Sequence, residues 1–122
     1  IYMLDDRLPK VADQLARWLS SGEDFASSYV TLTELLVHPK RLGDQQREAR
    51  YRLYLNRLLT LPMVTVDDRV AERAAGIRAD HGFKTPDAFQ LAAAMSVSAD
   101  IFYTNDKQLQ RFTDLDVMLV GD

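Results

Sequence analysis

The sequence predicts an α/β domain built on a mainly parallel sheet, and three observations carry that reading. Short apolar, β-branched segments alternate with segments of helical periodicity, the order required by a parallel sheet with helices on both faces. Most of the five glycines fall at the joints between these segments. At 122 residues the chain is long enough for one core, expected as a single domain over residues 1–122.

Taken in order, the apolar opening Ile1-Tyr-Met-Leu4 reads as the tail of an element already under way, so an N-terminally truncated chain is expected. Pro9 opens a helical pattern with Val11, Leu15, Trp18 and Leu19 on one face, stopped by Ser20-Ser21-Gly22. Phe25 to Val30 reads as a short strand. Thr31 to Glu34 opens a brief helix expected to end near His38-Pro39, because a proline disfavours helical backbone before it. A longer helix follows Gly43-Asp44 to about Thr60, with Ala49, Leu53 and Leu58-Leu59 as its expected buried stripe. Met63 to Val66 reads as a buried strand. Asp67 or Asp68 caps a helix carrying Val70, Ala71, Ala74, Ala75 and Ile77, closed by His81-Gly82. Thr85-Pro86-Asp87 has the form of a cap, an N1 proline and an acidic first turn, and its helix continues through Ala88, Leu91, Ala92 and Met95. Asp100 to Thr104 is a strand that leaves through Asn105-Asp106, and a short helix leads to a last strand, Val117 to Val120.

Composition narrows the function. With 15 basic and 18 acidic residues the formal charge is −3, and the absence of cysteine removes disulfides, thiolate metal sites and cysteine nucleophiles together. The longest apolar run, Leu91 to Met95, is five residues, far short of a membrane span. The first ten residues have no signal-peptide layout, so a soluble cytoplasmic protein is expected. No glycine-rich nucleotide loop occurs, and Ser20-Ser21 and Ser27-Ser28 lack the Gly-x-Ser-x-Gly setting of a hydrolase nucleophile. His38 and His81 fall at expected helix ends without metal-ligand spacing.

Three acids stand in equivalent places. Glu34, Asp87 and Asp106 each lie just beyond a predicted strand or at the start of a helix, positions that gather at the carboxyl edge of a parallel sheet. Two carboxylates about 4 Å apart repel by roughly 4 kcal/mol at an effective dielectric of 20, so such a cluster calls for a cation. All-oxygen ligation favours Mg²⁺ or Mn²⁺, which suits phosphodiester hydrolysis. Each acid also has a plain structural role open to it. Thr31 and Glu34 have capping-box spacing, Asp87 faces a helix dipole, and Asp106 sits in an Asn-Asp turn.

Thr33-Glu-Leu-Leu36, Lys84-Thr-Pro-Asp-Ala88 with Phe89-Gln-Leu-Ala-Ala-Ala94, and Tyr103-Thr-Asn-Asp106, in this order, resemble the PIN-domain family. They are most similar to the VapC-type toxins of toxin–antitoxin pairs, and Arg78-Ala-Asp-His-Gly82 fits the same pattern. The resemblance implies a three-layer α/β/α fold and an endoribonuclease whose Glu34, Asp87 and Asp106 ligate Mg²⁺ or Mn²⁺. Thr104 would support the last acid, and a homodimer silenced by a cognate antitoxin would be the resting assembly. The family's site also uses an aspartate at the end of the first, central strand. The opening Ile1 to Asp6 resembles the stretch just after that segment, so both strand and aspartate are expected to be absent, with Asp5 and Asp6 capping the first helix. Activity is then expected of the intact parent rather than of these residues.

Charge is uneven. Residues 40–57 carry six basic residues against two acids, net +4, leaving 9 against 16, or −7, elsewhere. Lys40, Arg41, Arg47 and Arg50 are therefore candidates for an RNA backbone, the alternative being a solvated helix face. Tyr51 and Tyr54 on the same helix either stack on bases or pack inward. Two other classes compete with a nuclease: a PIN-like module that only binds protein or RNA, and a receiver-type phosphorylation switch. The switch needs a phosphoacceptor aspartate and a later strand-end lysine, a set not found here.

Overall fold

A computed structural model describes residues 2–5 and 21–120. The helix expected after Pro9, with Trp18 on its apolar face, lies outside the described residues. Four strands, β1 (Tyr2–Leu4), β2 (Phe25–Ala26), β3 (Ile101–Thr104) and β4 (Val117–Leu119), form one sheet in the order β2-β1-β3-β4. Every pairing is parallel, with Met3 opposite both Ala26 and Phe102, and Thr104 opposite Leu119.

The missing central strand is the first correction. Tyr2–Leu4 is that strand, paired on both edges, and the acid behind it stands at a strand end rather than a helix start. Three residues carry little strand signal by themselves. Their role is set by partners 23 and 99 positions away, Phe25 and Ile101.

Alternation along these strands builds two cores. Met3, Ala26 and Phe102 face α3 (Asp68–His81) and α4 (Thr85–Ser96), packing with Val70, Ala74, Ile77, Leu91 and Phe112. Leu4, Phe25 and Tyr103 face the other way, against Leu35 of α1 (Tyr29–Leu42) and Leu55 and Leu58 of α2 (Gln45–Leu58). Helices thus cover both sides of the sheet, the three-layer arrangement expected.

Several local expectations change. The cap of α1 is Ser28, whose side chain accepts from the Val30 N–H, so Thr31 and Glu34 form no capping box. That helix also runs past His38, through Pro39, to Leu42. The ring of Pro39 is buried and its carbonyl accepts from the Asp44 N–H, while Gly43, in left-handed backbone, donates to Lys40, closing a Schellman turn. In α2 the buried stripe is shifted: Leu55 and Leu58 are inside, Tyr51 and Tyr54 are half-buried against them, and Leu53 is 51% exposed. Ala49 is exposed, as are Ala71 and Ala75 on α3. Met63 to Val66 makes only a single bridge, Val64 to Ser28, because its neighbour β2 is two residues long and Val66 faces solvent. His38 stands exposed inside α1 rather than at its end.

Candidate active site

Parallel strands place all their carboxyl ends on one edge of the sheet, the edge where ligands bind in open α/β folds. A cleft of about 240 Å³ lies there, lined by Asp5, Glu34, Asp87 and Asp106 with Val30, Lys84, Pro86 and Gln90. The three acids expected from the sequence meet in one place, and a fourth, Asp5, joins them.

Asp5 continues β1. Since Leu4 is opposite Tyr103, the next step sets Asp5 beside Thr104. Its N–H donates to the Tyr103 carbonyl at 3.3 Å, and the Thr104 hydroxyl donates to its Oδ2. Asp5 as a residue is only 8% exposed, so these partners matter: a buried charge without them would be costly. Thr104 also accepts from the Asp106 N–H at 3.0 Å, so it supports the first acid as well as the last.

Glu34 rises from α1 one turn after Val30, both on the cleft side. With no capping box, its exposed carboxylate has no part in starting that helix. Asp87 sits in the first turn of α4, after Pro86 at the helix start. Asp106 caps the short 3₁₀ helix Lys107–Arg111 by accepting from the Gln108 N–H at Oδ1. The turn role expected of it is real and engages one of its two oxygens.

Beneath the cleft a buried polar chain joins α1 to α4. The Ser28 hydroxyl donates to Gln90 Oε1 at 2.8 Å, Gln90 Nε2 donates to Thr31 Oγ1, and Thr31 and Ser27 donate to the Leu4 carbonyl. Gln90 is thereby held one turn beyond Asp87 and directly under it. Arginines fix the turn between α3 and α4. Arg78 donates to the Phe83 carbonyl and to Thr85 Oγ1, while Arg111 donates to the His81 carbonyl and lies 4.2 Å over the Phe83 ring.

The candidate RNA contacts lie elsewhere. None of Lys40, Arg41, Arg47 and Arg50 lines the cleft. Lys40 pairs with Glu48 at 2.8 Å and Arg47 with Asp44 at 3.5 Å. Tyr54 packs against the second core, where loss of solvent pushes its phenol above the usual range.

Four carboxylates and no softer donor make the chemistry of a hard divalent cation. As placed, no three acids or histidines among the described residues converge closely enough to grip one ion. Glu34 and Asp106 are exposed, so rotation of their side chains is the adjustment an ion would require. Sequence reasoning missed Asp5, Lys84 and Gln90 as cleft residues. The signal for Asp5 was the pattern seen on the neighbouring strand β3, an apolar strand with an acid just past its end, as in Tyr103-Thr-Asn-Asp106.

The PIN-domain family model matches residues 1–115. Among solved structures the fold is similar to VapBC from Salmonella typhimurium, solved bound to DNA, with TM-score 0.79, 20% identity and coverage of 97% of this chain and 96% of that one. VapBC2 from Rickettsia felis, bound to a promoter DNA fragment, gives 0.78 at 17% identity, covering 97% of each chain. FitAcB from Neisseria gonorrhoeae gives 0.73 at 21% identity, covering 97% of this chain and 96% of that one. No curated protein matches the sequence.

Proposed function

The chain belongs to the PIN-domain family, and from that premise we propose that it is a divalent-metal-dependent endoribonuclease, the toxin of a toxin–antitoxin pair. One observation carries the reading: four carboxylates, from β1, α1, α4 and the turn after β3, line one cleft at the carboxyl edge of the sheet. Capping accounts for only one oxygen of Asp106, and the mutual repulsion of four carboxylates opposes folding unless a cation offsets it.

Asp5, Glu34, Asp87 and Asp106 would hold Mg²⁺ or Mn²⁺. Such an ion supplies an activated water and neutralises charge on the phosphate. Thr104 keeps Asp5 oriented at the sheet edge, and Gln90 fixes the spacing between the helices bearing Glu34 and Asp87. The reaction is in-line hydrolysis. A water oxygen bonds to phosphorus, the P–O bond to the departing sugar oxygen breaks, and that oxygen takes up a proton. No residue of the chain need become covalently attached.

The expectation that the first aspartate is missing no longer argues against activity, because Asp5 lines the same cleft from the end of the central strand. The solved relatives are VapBC and FitAcB complexes. An antitoxin partner, a homodimer and a cytoplasmic setting belong to the same proposal. No helix among the described residues is long and apolar enough to cross a membrane.

The test is cleavage of labelled single-stranded RNA with Mn²⁺, by the chain and by its Asp5→Asn and Asp87→Asn variants. Cleavage that requires Mn²⁺ and falls at least about 10²-fold in each variant is expected. A folded chain that leaves varied RNAs intact would make it a binding module instead.

A further inference from the structure

Among the described residues that line the cleft, one is cationic. Lys84 lines it together with four carboxylates, at the residue before α4, where its side chain makes no capping bond. It is exposed and forms no ion pair with another described residue. Its backbone, by contrast, is held on both sides: Arg78 binds the Phe83 carbonyl and the Thr85 hydroxyl, and the Lys84 carbonyl accepts from the Ala88 N–H at 3.0 Å. A long cationic side chain is therefore carried into the lining of the cleft by a fixed stretch of backbone.

We infer that Lys84 contacts the phosphate of the substrate, its ammonium meeting a non-bridging oxygen of the phosphodiester to be cut. This rests on the nuclease reading above. Among the described lining residues, four carboxylates and one lysine with one divalent ion sum to a formal charge of −1, and an incoming phosphodiester adds another. Without Lys84 the substrate anion would approach a site of charge −2. A mobile ammonium on that rim can follow the phosphate as negative charge builds on it during attack. The same charge repels the metal ion while the cleft is free of RNA. Removing it must therefore move two observables in opposite directions, which loss of a merely structural residue would not do.

The experiment uses Lys84→Met and Lys84→Arg. Mn²⁺ binding is measured without RNA by electron paramagnetic resonance, and cleavage of a single-stranded oligoribonucleotide is followed across salt concentrations. For Lys84→Met, Mn²⁺ should bind about 3- to 10-fold more tightly. Its kcat/KM should fall about 10²-fold, and the salt slope of RNA binding should drop by about 0.7. Lys84→Arg should keep the wild-type salt slope and recover part of the rate. Unchanged cleavage in Lys84→Met, or Mn²⁺ binding that weakens along with cleavage, would overturn the assignment. Failure of the nuclease reading looks different: the wild-type chain itself would leave RNA uncut with Mn²⁺ present, and the phosphate role would fall with it.

Discussion

The Thr104 hydroxyl donates to the carboxylate of Asp5, 99 residues earlier in the chain, across the pairing of β3 with β1. Its oxygen accepts from the Asp106 N–H in return, so one side chain fixes the acids at the ends of two neighbouring strands. Thr104→Val keeps the shape and removes both bonds. Because the site is buried, the change should cost about 1–3 kcal/mol in urea denaturation. Cleavage should fall with it, and Thr104→Ser should restore most of both. An unchanged midpoint in Thr104→Val would show that Asp5 is satisfied by other groups.

Crowded carboxylates set activity against stability. Glu34→Gln should abolish cleavage yet raise metal-free stability by about 0.5–2 kcal/mol, because it removes like charge from the cleft. The gain should shrink on adding Mn²⁺, which stabilises only the intact set. Calorimetry with and without Mn²⁺ reads both effects.

Gln90 ties the cap of α1 to α4. Gln90→Leu leaves the buried Ser28 and Thr31 hydroxyls short of partners, and a loss of about 2–4 kcal/mol is expected by chemical denaturation. A loss below about 0.5 kcal/mol would show that these hydroxyls find other acceptors.

Tyr54 gives a pH dependence of known sign. Its phenol is raised by burial, so the folded state holds the proton at a pH where the unfolded chain has released it. The stability it contributes is complete below about pH 10, the unfolded value, and is lost as pH rises from there through the folded value. Denaturation midpoints between about pH 9 and pH 11 should fall less steeply for Tyr54→Phe than for wild type. Equal slopes would mean that Tyr54 ionises as freely in the fold as outside it.

How much the sequence revealed depends on the range of the interactions. The second half was legible because its signals are local: Asp67 caps α3 by accepting from the Val70 N–H, Gly82 ends that helix in left-handed backbone, and Pro86 opens the next. Glu34, Asp87 and Asp106 were found because parallel strands send their ends to one edge. The rest was set by distant partners. Tyr2–Leu4 is a strand because of Phe25 and Ile101, and Asp5-Asp6 in isolation looks like a helix cap. Pro39 is carried inside α1 because its ring is buried, which no local rule announces. The stripe of α2 was misplaced because Arg and Leu alternate around it and only contact with β2 and β3 fixes its phase.

The central position of β1 also sets when the cleft can exist. Its pairing with β3 closes a loop of nearly the whole described chain, and contacts so distant form late in folding. During synthesis Asp5 and Glu34 leave the ribosome well before Asp87 and Asp106, so a growing chain carries half the acids and no cleft. On the nuclease reading proposed above, a chain built in this order could not cut RNA until its last strands emerge. The topology itself thus delays assembly of the acid-lined cleft to the end of folding.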